Sequence, residues 1–170
     1  PVIFNDIKLN LSKIIKNINF YNYALSDHEK NSILKVPIRN KDFDRSNYEE
    51  YFQMGKATIH DANKMKDIET FEVKSKKLDS FSFSNKISFI KVDVEGHELA
   101  VIRGAENTIK KNKPILLVEI EERHSQKKVS ETLDYINSLG YISYFYENEL
   151  LKTSSLDNLN LYNNFIFKPK

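Results

Sequence analysis

Residues Ile87 to Glu98, ISFIKVDVEGHE, constrain the fold of this chain more than any other stretch. Ile87, Phe89, Ile90, Val92 and Val94 form the near-continuous apolar run of a strand covered on both faces. The run carries Asp93 at its end and turns at once into a helix, with Glu95, His97 and Glu98 grouped around Gly96. A buried strand feeding a helix is one unit of an α/β sheet, and ligands of such sheets bind beyond the carboxyl ends of the strands. Titratable groups crowded at that end make it the candidate active site.

The rest of the chain supplies further strand and helix units. Asn5 or Asp6 can cap a helix that places Ile7, Leu11, Ile14 and Ile15 on one face. Ile18 to Ala24 alternates as a strand, Ser26-Asp27-His28 marks a loop, and Ile33 to Val36 is a short strand stopped by Pro37. Arg39 to Thr70 has no firm period and reads as a long loop, in which Tyr48, Tyr51 and Phe52 could stack on a ligand or simply pack. Phe71 to Lys77 is an exposed strand and Leu78 to Phe81 a short helical turn. A helix carrying Leu99, Ile102, Ala105 and Ile109 ends in the lysine run before Pro114, followed by a strand from Ile115 to Ile120. Ser125 caps a helix with Val129, Leu133, Ile136 and Leu139 inward, and Gly140 is its C′ residue. Tyr141–Tyr146 and Leu161–Phe167 close the chain as antiparallel neighbours.

At 170 residues with 40% hydrophobic content, the chain suits one domain with its own core. A net charge of +2 sets up no broad field for nucleic acid or anionic lipid, and no apolar run reaches the roughly 20 residues of a membrane span. Without cysteine there is no disulfide, thiolate metal site or cysteine nucleophile, which suits a cytoplasmic location. The four glycines (Gly55, Gly96, Gly104 and Gly140) form no Gly-x-Gly phosphate loop.

Asp93 and Glu119 end successive strands about 4.8 Å apart, so the two carboxylates can face one crevice. There they would bind a cation, bind ligand hydroxyls, or raise one another's pKa. The bland alternative is that each caps a helix or meets a surface lysine. Glu98 sits where an acid meets the positive end of the helix dipole, so capping explains it better than catalysis. His97 can serve as a general base near neutral pH, against the plain reading of a surface side chain. Asp93, Glu95, His97 and Glu119 include suitable ligands for Mg²⁺ or Mn²⁺. Their spacing shares a face only in an extended chain, which Gly96 interrupts, so no metal site is assigned.

The segment IKVDVEGHELAVIRGAENTIKKNKPILLVEIE, Ile90 to Glu121, resembles the FkbM family of S-adenosylmethionine-dependent methyltransferases. YNYALSD (Tyr21–Asp27), KLDSF (Lys77–Phe81) and YNNFIF (Tyr162–Phe167) match in the family's order, and GKATI (Gly55–Ile59) matches loosely. The resemblance implies an α/β, Rossmann-like class I three-layer sandwich, with a mostly parallel sheet and an antiparallel C-terminal strand pair. Residues 1–170 would form a single partial domain, with 39–70 over the acceptor site. It further implies methyl transfer from S-adenosylmethionine to a hydroxyl of a small molecule such as a saccharide or polyketide. Ala24, Leu25 and Ser26 would line the adenine pocket, and Asp93 would lie beside the cofactor's methionyl end and the acceptor oxygen. Glu95, His97 and Glu119 would bind the acceptor or remove its proton.

Family members open with a strand, a Gly-rich cofactor turn, and a second strand ending in a ribose-binding acid; the match here begins just after that acid. Weak or no cofactor binding is therefore expected of this chain alone. Ile18–Ala24 would lose its neighbour and Ile87–Val94 would become an edge, which a second copy could cover as a homodimer. Two other classes compete: a non-catalytic assembly or ligand-binding module on the same scaffold, and a carboxylate-metal hydrolase built on Asp93 and Glu119.

Overall fold

Helix α1 (Val2–Ile14) opens the chain in the computed structural model, which describes residues 2–37, 57–60, 68–120, 126–147, 150–153 and 162–170. The helix begins ahead of Asn5 and Asp6, so neither is its cap, and Ile7, Leu9 and Ile14 of its apolar residues are exposed. The strand expected over Ile18–Ala24 shrinks to β1 (Ala24–Leu25), which pairs in parallel with Ser75 and Lys76. Upstream of it, Tyr21 and Tyr23 stay exposed and pack edge-on against Phe81. Alternation alone builds no strand where the chain finds no ladder partner.

β2 (Asn31–Pro37) and β3 (Ile68–Lys76) pair antiparallel over their lengths, Asn31 opposite Lys74 and Pro37 opposite Ile68. Pro37 is the last residue of its strand, where a missing donor costs least. The three-stranded sheet runs β1-β3-β2. Most of the 39–70 loop, with Tyr48, Tyr51 and Phe52, lies outside the described residues. Within it, residues 57–60 bridge to β2 through Thr58 and Lys35, and β3 already begins at Ile68.

The crossover from β4 (Phe89–Val92) to β5 (Ile115–Glu119) is parallel, as the apolar runs predict. Its single predicted helix is in fact two, α2 (Glu98–Arg103) and α3 (Glu106–Asn112). The break falls at Gly104–Ala105, where Ala105 leaves helical geometry (φ −113°) and its N–H turns to Ile102. Asp79, in the 3₁₀ turn Leu78–Ser80, closes the gap: its carboxylate accepts the N–H groups of Asn107 (2.9 Å) and Thr108 (2.8 Å). These are donors that a new helix start would otherwise leave orphaned. Lys113, in the left-handed region at φ 49°, ends α3 just before Pro114.

α4 (Gln126–Ser138) buries Val129, Leu133 and Ile136, and Gly140 at φ 90° is the expected C′ residue. The chain then closes as β6 (Tyr141–Glu147), β7 (Leu150–Thr153) and β8 (Asn164–Pro169). β6 and β8 are antiparallel neighbours as expected, whereas β7 is an additional strand.

The expectation of a mostly parallel sheet is corrected here. The five-stranded sheet runs β4-β5-β8-β6-β7, and only β4–β5 is parallel. The pairs β5–β8, β8–β6 and β6–β7 are antiparallel. β6 ends at Glu147 and β7 begins at Leu150, too close in sequence for the long crossover that a parallel neighbour needs. β8 takes the place between β5 and β6 because Phe165 and Phe167 are wholly buried in the core. Each contributes about 1.5–3 kcal/mol of apolar burial. Both sheets are therefore mixed. β4 lies at an edge among the described strands, with Phe89 53% exposed although Val92 is buried. Among the described residues, no helix is long and apolar enough to cross a membrane.

Candidate active site

The turn from β4 into α2 carries two successive left-handed residues, Glu95 (φ 51°) and Gly96 (φ 95°). Gly96 adopts this region without strain, whereas Glu95 does so against its Cβ and must be held. Thr58 holds it: its buried hydroxyl donates to the Glu95 carbonyl at 3.0 Å. Thr58 is itself fixed by reciprocal backbone hydrogen bonds with Lys35, at 2.9 and 3.0 Å. The next residue but one, His60, donates its N–H back to the Thr58 hydroxyl. Thr58, in the described part of the loosely matching GKATI segment, thus clamps the strand-to-helix turn.

Glu98 supports the same turn from inside. The residue is only 6% exposed, and its carboxylate accepts the Gly96 N–H at 2.8 Å. Burial pushes its pKa above the ordinary 4.5, and backbone N–H groups offset only part of that rise. A raised folded-state pKa means that the folded chain binds this proton more tightly than the unfolded chain. Glu98's contribution to stability therefore falls as pH rises from about 4.5 to the raised value, and the deficit persists at neutral pH. Glu98→Gln keeps an oxygen for the Gly96 N–H and removes the charge. We expect denaturant unfolding of wild type and variant to differ by a pH-dependent term that grows through this window and then levels. Parallel profiles would contradict it.

His97, at the N-cap position of α2, meets the Ser26-Asp27-His28 loop beyond β1. Its Nε2 lies 2.9 Å from the Ser26 hydroxyl, which also contacts His28 Nδ1 at 3.1 Å and Asp27 at 3.3 Å. Asp27 accepts from His28 Nδ1 at 2.9 Å. His60 stands beside His97, ring centroids 6.1 Å apart. Three of the chain's four histidines therefore converge on one point.

This cluster walls a cavity of about 250 Å³, lined by Asp27, His60, His97, Arg103, Glu131 and Thr132 over an apolar floor of Leu99, Ala100 and Ile120. A second recess, of about 320 Å³, shares His60 and His97 and is closed by His28, Ser32 and Ile59. The first combines two imidazoles, a guanidinium and the carboxyl groups of Asp27, Glu98 and Glu131, a set able to bind hydroxyls and move a proton. Among the described residues, no group of three or more His, Asp or Glu is arranged to hold a metal ion.

The residues singled out from sequence divide between two places. His97 lies in the cavity wall, and Ser26 lies behind it with its side chain fully buried. Ala24 and Leu25 are half-buried in β1. Asp93 and Glu119 both act on Lys91 at the tips of β4 and β5 and do not themselves line that cavity. Asp93, 38% exposed, accepts from Lys91 at 2.8 Å. That hydrogen bond holds the Lys91 ammonium above its ordinary pKa of 10.5, opposed by partial burial, with the charges of Asp93 and Glu119 adding to it. Glu95 contributes its carbonyl to Thr58, and its side chain does not line the cavity. Sequence reasoning missed Asp27, His28, Thr58, His60, Arg103, Glu131 and Thr132. The nearest signal was the scarcity of histidine, since four residues scattered over the chain gain meaning only when three share a pocket.

The family model described as Methyltransferase FkbM domain matches residues 3–143. A solved structure of a methyltransferase FkbM from Methylobacillus flagellatus KT is 20% identical, with a TM-score of 0.41. The alignment covers 57% of this chain and 23% of that one, so the chain spans about a quarter of that protein's length. No curated protein matches the sequence.

Proposed function

The chain belongs to the FkbM methyltransferase family, and on that premise we propose that it moves a methyl group from S-adenosylmethionine to a hydroxyl oxygen of a small molecule. A saccharide or a polyketide is the acceptor class we favour. The observation that carries this reading is the cavity beside His97. Asp27 and Glu131 offer acceptors to substrate hydroxyls, Arg103 offers a donor, and Leu99, Ala100 and Ile120 offer an apolar face. A polyhydroxylated molecule with an apolar side needs that combination.

In this proposal His97 removes the acceptor's hydroxyl proton, a task suited to an imidazole near neutral pH. When bound, S-adenosylmethionine supplies an electrophilic methyl group on a sulfonium. We assign Asp93 to that cation. Its carboxylate is partly exposed at a strand tip, and its ion pair with a half-exposed lysine is weak enough to be exchanged. Ala24 and Leu25 would face the adenine, whereas the Ser26 hydroxyl is committed to His97. Glu95 and Glu119 remain acceptor-binding candidates at the β4–β5 tips. None of the four glycines forms a Gly-x-Gly turn, so weak cofactor binding is the expectation for this chain alone. A cysteine-free chain also suits the reducing cytoplasm.

Incubating the protein that carries this chain with S-adenosylmethionine labelled with ¹³C in its methyl group, and with a panel of saccharides and polyketides, tests the reading. We expect the label in a methyl ether of one acceptor class. Label found only on nitrogen or carbon, or a protein that binds no cofactor, would contradict it.

A further inference from the structure

A hollow of about 640 Å³ opens beyond the amino ends of β4 and β5, opposite the strand ends that lead to His97. Residues 81–86, which run into β4, form one wall, and Lys111 and Asn112, at the end of α3, belong to the other. It shares no residue with the cavity beside His97. Its floor is held by hydrogen bonds. Asp79 gives its two carboxylate oxygens to the N–H groups of Asn107 and Thr108. Asn112 accepts the Ile87 N–H at 3.2 Å and donates to the Thr108 carbonyl at 2.9 Å.

Above that floor the side chains are unengaged. Among the described residues, Ser84, Asn85, Lys86 and Lys111 make no side-chain hydrogen bond or ion pair, whereas Lys110 on the same helix is paired with Glu106. The hollow therefore presents two free ammonium groups, and the carboxylate in its lining is already occupied. Phe83 adds an aromatic face that is 45% exposed. Behind it Phe81 is fixed by Tyr21 and Tyr23 edge-on, at 5.2 and 6.0 Å, and by the Lys76 ammonium 5.6 Å from its centroid. Phe81 and Phe83 stand 6.3 Å apart with planes 29° from parallel. A ring inserted between them needs about 3.5 Å on each side, so that gap is closed and Phe83 offers its outer face alone.

We propose that this hollow binds an acidic saccharide, a sugar bearing a carboxylate or a phosphate. The C–H face of a pyranose is apolar and covers Phe83. Its hydroxyls both give and take hydrogen bonds, as do the amide of Asn85 and the hydroxyl of Ser84. Its acid meets Lys86 and Lys111. A bare inorganic anion leaves Phe83 uncovered, and a neutral sugar leaves both lysines unused. The four residues of β4 put about 13 Å between this hollow and the turn toward His97, so the site anchors a ligand and takes no part in a reaction there. It stands independently of the function proposed above.

Amide shift changes in the ¹⁵N-labelled protein that carries this chain, titrated separately with tetragalacturonate and glucose 6-phosphate, test this. We expect at least one of them to move the amides of residues 81–86 and 107–112 saturably, and the one that binds identifies the acid. The neutral counterparts, the methyl ester of tetragalacturonate and glucose, should bind about tenfold more weakly or worse. Raising the ionic strength from about 0.05 to about 0.5 M should weaken the complex. Phe83, Lys86 and Lys111 are all exposed, so replacing them leaves the core intact. Phe83→Ala should raise Kd about threefold or more. Lys86→Gln combined with Lys111→Gln should abolish the preference for the acid. Absence of shifts at these residues with both acids would overturn the inference, as would equal affinity for the neutral sugars or indifference to Phe83→Ala. Tighter binding of adenosine monophosphate than of either acidic sugar would make the ligand a nucleotide and overturn it as well.

Discussion

Replacing Gly104 by Ala is expected to unseat the loop that holds Ser26, Asp27 and His28. A Cβ on Gly104 would lie 1.9 Å from the Ser26 carbonyl oxygen, 2.8 Å from its carbon and 3.3 Å from Asp27 Cα. All three are backbone atoms, so no side-chain rotation relieves the contact. Gly104 has an ordinary φ of −71°, and the requirement is therefore closeness of approach, not backbone freedom. Its carbonyl also accepts the Asp79 N–H at 3.0 Å, which ties the α2–α3 break to the turn that caps α3. Overpacking against side chains costs about 1–3 kcal/mol, and a fixed backbone neighbour puts this case at or above the top of that range. For a chain of this size, about 3 kcal/mol corresponds to a melting temperature roughly 6–12 °C lower. Thermal unfolding followed by circular dichroism measures it. A shift under about 2 °C would mean that the loop yields freely, and that Gly104 does not set the position of Ser26.

What could be read from sequence was what local pattern encodes. The apolar run into Asp93, the parallel β4–β5 crossover, the inward face of α4 and the left-handed Gly140 each depend on a few adjacent residues, and each appears as expected. The mixed sheet did not follow, because the place of β8 between β5 and β6 is decided by where Phe165 and Phe167 find a core, not by their alternation. The break between α2 and α3 was hidden for a similar reason. Leu99, Ile102, Ala105 and Ile109 keep a helical spacing, and the break between them coincides with contacts from distant residues, Ser26 close against Gly104 and Asp79 on the first N–H groups of α3. The site was half legible. Strand-end logic pointed to His97, which lines the cavity, and to Asp93 and Glu119, which do not, and neither Ser26 nor His28 advertised a link to a residue some seventy positions away. Thr58 and His60 sat in a stretch without a period, where only tertiary hydrogen bonds give them a role.

His97→Asn carries the largest expected effect on activity. Asparagine loses the reach of Nε2 to Ser26 but is among the residues favoured at the N-cap position that His97 occupies, so the β4–α2 turn should stand. It cannot take up a proton near neutral pH. Loss of a positioned general base lowers rates by about 10²- to 10⁴-fold, or roughly 3–5.5 kcal/mol on the barrier. Asp93 and the β4–β5 tips, where we place the sulfonium, are untouched, so affinity for S-adenosylmethionine should not change. The decisive measurement is the rate of methyl transfer at saturating acceptor, for wild type and His97→Asn, in the protein that carries this chain. The account predicts a fall of at least about a hundredfold in kcat with cofactor affinity preserved. A variant that transfers methyl groups within about twofold of the wild-type rate would show that the cavity beside His97 is not where the acceptor loses its proton.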